Sequence, residues 1–369
     1  MKKTVLHEKH LQSGARMGPF AGFEMPIQYR GIIAEHEHTR KNVSIFDTCH
    51  MGECHLEGPT ALQDIERLLT ADIASMSIGQ CRYSLMCNES GGVIDDLLAY
   101  RMGENHFMLV VNAGTRHSDL EWMAGNISPS TILRDVTDQT AKIDIQGPES
   151  ANLMQLVMDR DIMEMKFFRF SHNSFRGQMV LISRTGYTGE LGYEVYCDNI
   201  TAVQLWDIFL NNGAQPAGLG ARDTLRLEMG MPLYGHELTT TTNAAATGLD
   251  RAISKTKEFI GCNSIRNMAD NTPLLRGIAV DGRRSARAND RLLVDGGERG
   301  YVTSGSYAPS LGHAVALGYI SPDCAANGTT VQIQGDRTTL QGCITPLPFY
   351  KNATARIKQK VDRRLQTTD

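Results

Sequence analysis

The segment NESGGVIDDLLAY, residues 88–100, holds the sharpest chemistry in the chain. Two glycines make a turn, two aliphatic residues follow, and the adjacent carboxylates Asp95 and Asp96 open an otherwise apolar strand. Strand neighbours point to opposite faces, so one carboxylate should be solvated while the other faces the interior. An inward carboxylate needs a partner or a ligand, because burying it unpaired is costly. Spacing alone leaves two readings open: a functional aspartate, or a turn-capping or ion-paired couple.

RTGYTGELGYE (184–194) sets Tyr187, Glu190 and Glu194 among glycines. The pattern suits close backbone approach and a flat heterocycle stacked near an aromatic. A plain β-hairpin carrying a tyrosine fits equally well. In GLGARDTLRLEMGMPLYGHEL (218–238), Arg222 and Arg226 lie four apart and share a helical face. Either could hold a carboxylate bidentately, and Asp223 and Glu228 offer structural ion-pair partners. Spacing does not decide between them.

Other signals are missing. No GxGxxG follows a strand, and GxxxxGK[ST], HExxH and GxSxG do not occur. His36 and His38, two apart, diverge on a helix and read as solvated; His50, in FDTCHMGE, reads as a half-buried imidazole or a catalytic one. The eight cysteines are scattered without a CxxC pair, which points to reduced thiols, no zinc site and a cytoplasmic location. A net charge of −4 argues against a general binder of nucleic acid or acidic membrane. No apolar run nears the roughly 18–20 residues that span a bilayer. The opening MKKTVLHEKHLQSGARM lacks the apolar core of a signal peptide, so no targeting segment is expected.

At 369 residues, two or three packed domains are expected. Helices and strands alternate through about residue 260. ALQDIERLL after Thr60 has an apolar face, with Thr60 and Gln63 at capping-box spacing. HFMLVVN (106–112) reads as a strand followed by a helix from about Ala113; a further helix is expected from Pro148 with Leu153, Leu156 and Val157 buried. MVLISR (179–184) reads as a strand, and TAVQLWDIFL (201–210) and LGARDTLRLEMG (219–230) as helices. Beyond about 270, short apolar runs (277–280, 291–294, 313–320, 329–333) between glycines and polar residues suggest a small β-barrel or sandwich. The closing IKQKVDRRLQTTD is polar and reads as a frayed tail.

The blocks LHEKHLQSGARM, AGFEMPIQY, IFDTCHMGE, GGVIDDLLAY, LVVNAGT, DIQGPES, RTGYTGELGYE, PAGLGARDTLRLEMGMPLYGHEL, KEFIGCNSI, VTSGSYAPSLG and PLPFYK stand in the order found in glycine cleavage T-proteins. The chain resembles that family from about residue 6 to 351. The resemblance implies a three-domain, cloverleaf-like α/β (α+β) fold ending in a small β-barrel. It places a folate-binding body at 1–265, made of two interleaved α/β subdomains, one roughly 55–140, and the barrel at 275–355. It also implies an aminomethyltransferase that takes the one-carbon unit from the lipoyl arm of H-protein to tetrahydrofolate and releases ammonia, without a metal. By this resemblance Asp96 is the catalytic aspartate; Tyr83, Tyr100, Val110, Asn112, Tyr187, Glu194 and Arg222 line the folate, and Met51 the same channel. Glu194 would read the donor edge of the pterin. The chain departs from the family at Cys49 and at Asp250-Arg251, where a bulky apolar residue is usual. The Asp250-Arg251 departure keeps in view a tetrahydrofolate-dependent demethylase of a small sulfonium or N-methyl compound, resembling the dimethylsulfoniopropionate demethylases. The shared scaffold also leaves a non-enzymatic folate-binding accessory protein of iron–sulfur assembly, against which KEFIGCNSI, in place of a KGCYxGQE-type motif, and the intact Asp96 both speak.

Overall fold

A computed structural model describes residues 1–357. The rest of the expected frayed tail, from 358 on, lies outside the described residues. The chain divides into two units by contact density, one comprising Met1–His50, Asp138–Leu219 and the residues from Asn352, the other Met51–Thr137 and Gly220–Lys351.

The first unit is built on a six-stranded sheet ordered Phe170–Phe175, Gln178–Ser183, Gly192–Cys197, Ala141–Gln146, Ser44–Asp47 and Gln215–Pro216, with only the last pair parallel. Helices Ser150–Val157 and Asn199–Asn211 supply the apolar layer, so that Ile143, Ile145, Val195, Met154, Leu205, Trp206 and Phe209 form one core. Asp198 caps the second helix, accepting hydrogen bonds from the backbone N–H of Ile200 and Thr201, as a short acidic side chain at that position should. The first helix begins at Ser150, two residues after the proline expected to open it. Its buried face is Ser150, Leu153, Met154 and Val157, which turns Leu156 outward and leaves it 76% exposed, contrary to expectation.

The second unit carries a five-stranded antiparallel sheet ordered Cys81–Cys87, Val93–Gly103, His106–Val111, Gly52–Glu57 and Ile132–Asp135. Helices Ala61–Leu68 and Arg116–Asn126 pack on one face around Leu56, Ile65, Leu68, Leu97, Leu109, Val111 and Met123. Thr60 does not close the expected capping box; its hydroxyl bonds Ser128 and Thr131 instead. Six further strands, Leu274–Val280, Arg291–Val294, Gly297–Ala308, His313–Ile320, Thr330–Gln334 and Thr339–Thr345, close into a barrel around Ile278, Leu292, Val302, Ala316, Val331 and Ile344. The fold class is therefore mixed α/β with a closed C-terminal β-barrel. Among the described residues no helix is long and apolar enough to cross a membrane.

The turn that feeds the Asp95–Asp96 strand is fixed from both sides. Asn88 Oδ1 accepts from the backbone of Ser90 and Gly92, and the Val93 N–H donates to Thr239 O at 3.0 Å. A Cβ on Gly92 would stand 1.8 Å from the Thr240 carbonyl oxygen. Gly92→Ala is therefore expected to lower stability by about 3 kcal/mol, the upper end for overpacking a site that cannot give. A urea denaturation midpoint equal to wild type would show that the turn can relax away from residues 239–242.

Candidate active site

Register explains why the two aspartates part company. Leu98 stands opposite both Tyr83 and Val110, and Leu85 stands opposite Asp96. By alternation, Asp96, Leu98, Tyr100, Tyr83 and Val110 share one face of the sheet, while Asp95 turns to the face that carries the helices. Asp95 is fully buried and Asp96 half-buried, which bears out opposite faces but corrects the expected full solvation of one partner.

Asp96 is gripped from two sides. The Tyr83 hydroxyl donates to its Oδ2 at 2.9 Å, and Asn112 Nδ2 donates to its Oδ1 at 3.0 Å and to its carbonyl oxygen at 3.1 Å. The same amide reaches Asp95 Oδ1 at 2.8 Å, and the Asn112 backbone N–H reaches Asp95 Oδ2 at 3.0 Å. Burial, and then the charge of Asp95, push Asp96 up to about 7 against the hydrogen bonds from Tyr83 and Asn112. A carboxyl poised there can both take and give a proton at neutral pH, which an ordinary aspartate cannot. Tyr83 and Tyr234 pack against one apolar cluster with Leu85, Leu238, Phe259 and Leu249. Burial raises the Tyr234 phenol to about 12, with Asp95, Asp119 and Asp96 adding to the effect.

Of the other residues singled out in this unit, Tyr100 and Val110 are fully buried within the sheet, Met51 sits half-buried just before the Gly52–Glu57 strand, and Arg222 is half-buried on the helix Leu219–Glu228. The ambiguity between the two arginines resolves in part. Arg226 is buried and donates to Asp223 at 2.8 Å, Glu237 at 3.1 Å and Ser304 at 2.9 Å, so it is structural. Asp250 and Arg251 form an exposed 3-10 turn, while their neighbour Leu249 packs against the same apolar cluster as Tyr83 and Tyr234.

In the first unit, Glu194 lies opposite Asp144 in the sheet. Buried Lys142 joins them, with Nζ 2.6 Å from Asp144 Oδ1 and 3.1 Å from Glu194 Oε1. Thr185 and Tyr196 donate to Glu194 Oε2 at 2.8 and 3.0 Å. The glycine spacing of RTGYTGELGYE has a steric cause: a Cβ at Gly186 or Gly192 would fall 2.2 or 2.3 Å from Gln146 Oε1. Tyr187 is half-buried in the same loop. His50 is buried edge-on against Phe20 at 5.4 Å, a packed imidazole in an aromatic corner. His36 is fully buried, not solvated as its spacing suggested. Among the described residues no His, Cys, Asp and Glu cluster could hold a metal ion.

Residues 6–257 match the model of the GCVT N-terminal domain, and residues 275–351 match that of the glycine cleavage T-protein C-terminal barrel domain. The chain belongs to the glycine cleavage T-protein family. Curated relatives agree along nearly its whole length. A protein of Geobacillus kaustophilus named aminomethyltransferase is 38% identical over 96% of this chain and 100% of its own. One of Rubrobacter xylanophilus with the same name is 40% identical over 95% of each chain. The crystal structure of glycine cleavage system aminomethyltransferase T from Bartonella henselae matches with a TM-score of 0.89 at 31% identity, covering 97% of this chain and 99% of that one. Asp119, Tyr234, Lys142 and Asp144, none of them expected from the sequence, lie close to the singled-out residues. Asp119 had one available signal, since it stands four before Met123 on the buried side of its helix.

Proposed function

We propose that this chain moves the aminomethyl carbon from the lipoyl arm of H-protein to tetrahydrofolate, with Asp96 as the catalytic carboxylate. It is an aminomethyltransferase of the glycine cleavage system, a folate-dependent one-carbon transferase. The observation that carries the residue assignment is the Asp96 carboxyl itself, half-buried, aimed by Tyr83 and Asn112 and poised near neutrality.

The reaction requires such a group. The aminomethyl carbon loses its nitrogen as ammonia and its sulfur as the dihydrolipoyl thiol, and it gains bonds to N5 and N10 of the folate. Each folate nitrogen gives up one proton; ammonia takes one and the thiol sulfur the other. Asp96 accepts a proton as a nitrogen attacks and can return it to a leaving group, which is general acid–base help added to positioning.

Elsewhere, Lys142 with Asp144 and Glu194 makes one positive and two negative charges, a net acceptor suited to the N–H edge of a pterin. We assign Glu194 to that edge, Tyr187, Tyr83, Tyr100, Val110, Asn112 and Met51 to the folate surround, and Arg222 to the carboxylate tail. The division into a body at 1–265 and a barrel at 275–355 is part of the same reading. If Asp96 must be ionised to accept a proton, kcat at saturating H-protein and folate should fall as pH drops through about 7. A flat kcat profile from about pH 6 to 8 would remove Asp96 from the proton path.

A further inference from the structure

Behind Asp96, on the other face of its strand, lies a second carboxyl pair for which the reaction as written has no role. Asp95 and Asp119 are both fully buried, the first on the strand Val93–Gly103 and the second on the helix Arg116–Asn126. Neither Asp119 oxygen has a donor in bonding geometry. The Thr115 hydroxyl beside it is committed to Asn112 O at 3.1 Å. Besides Thr115, the group set against the Asp119 carboxyl is the carboxyl of Asp95. Two buried carboxylates in contact cannot both be ionised without a cation or a proton between them. Arg116, on the same helix, donates twice to Asp135 Oδ2, at 3.0 and 2.6 Å. The other titratable groups facing the pair are Asp96, the Tyr234 phenol and, toward Asp119, the Cys54 thiol with Glu53 close by. All of these are acids.

We propose that Asp95 and Asp119 share one proton and serve as positioning residues, holding Asn112, and through it the Asp96 carboxylate, in place for proton transfer. Asn112 is the link, because its backbone N–H and side-chain amide bind Asp95 while the same amide binds Asp96. The pair then carries a single negative charge beneath Asp96, in keeping with the upward push on all three carboxyls. Without the shared proton, two full charges would repel each other and pull the helix from the sheet.

The role in turnover rests on the function proposed above, but the proton can be tested without it. In the infrared spectrum at about pH 8, where exposed carboxyls are ionised, wild type minus Asp119→Asn should show the band of one protonated carboxylic acid. The asparagine amide replaces that proton and leaves Asp95 ionised. Absence of the band overturns the shared proton whether or not the enzyme turns over. In turnover, Asp119→Leu should lower kcat about 10-fold or more with KM for tetrahydrofolate changed less than about 2-fold, and Asp119→Asn should keep kcat within about 3-fold. A merely space-filling Asp119 would make leucine the milder change. A folded leucine variant with wild-type kcat, or an asparagine variant as slow as leucine, overturns the positioning role.

Discussion

Asp96→Asn is expected to lower kcat by about 10²-fold or more while folate still binds. The substitution keeps Oδ1 for the Asn112 amide, and Tyr83 can turn its hydroxyl to accept from the new NH2 where it now donates. What disappears is the ability to take a proton. The same change should stabilise the protein at alkaline pH. Asp96 releases its proton near 3.8 when unfolded and near 7 when folded, so the native state binds that proton more tightly. The stability this contributes is complete below about pH 4 and is lost as pH rises to about 7, leaving a strained carboxylate above. Asparagine removes the strain, worth about 1 to 4 kcal/mol at pH 8 and close to nothing at pH 4. Thermal denaturation of both proteins at the two pH values reads it. Equal melting temperatures at pH 8 would mean that Asp96 binds its proton no more tightly than an ordinary carboxylate, and turnover near wild type would remove it from the proton path.

Lys142→Met should be the most damaging single change in the first unit. Methionine fills much of the volume of lysine but leaves Asp144 and Glu194 buried and facing each other without their cation. Removing one partner from a buried ionic cluster costs about 3 to 5 kcal/mol. The penalty is electrostatic, so neutralising a second group should relieve it. The double variant Lys142→Met with Asp144→Asn is expected to recover more than half of the loss in a denaturant titration. If the single change costs less than about 1 kcal/mol, the cluster is not ionic and Glu194 is not held as a carboxylate for the pterin.

The carboxylate pair and its opposed faces could be read from GGVIDD because strand alternation is a local rule. What each carboxylate meets was not readable, since Asn112 and Asp119 come from another strand end and a helix. Lys142 was invisible for a related reason. AKIDIQ alternates polar and apolar, the usual mark of a half-solvated strand, yet all six of its positions are buried. Its polar side closes on Glu194 and Thr48. The helix at Ser150 was found with Leu153 and Val157 correctly buried, but Leu156 was misplaced: it stands one turn after the exposed Asn152, on the polar side, and its apolar type alone suggested burial. Two barrel strands, Gly297–Ala308 and Thr339–Thr345, escaped because glycines and polar residues break their apolar runs, while ladder pairing with neighbours holds them in place. The Arg222–Arg226 ambiguity shows the limit most clearly. Helical spacing placed both on one face, and only the distant Ser304 and Glu237 reveal which of them is structural.

The most direct test of Asp96-dependent transfer is to incubate the purified protein with tetrahydrofolate and aminomethylated H-protein and to measure ammonia and the folate product together. Wild type should release ammonia and 5,10-methylenetetrahydrofolate in equal amounts, and Asp96→Asn should be slower by about 10²-fold or more. No product from H-protein, with methyl-tetrahydrofolate formed instead from a small sulfonium or N-methyl donor, would contradict it.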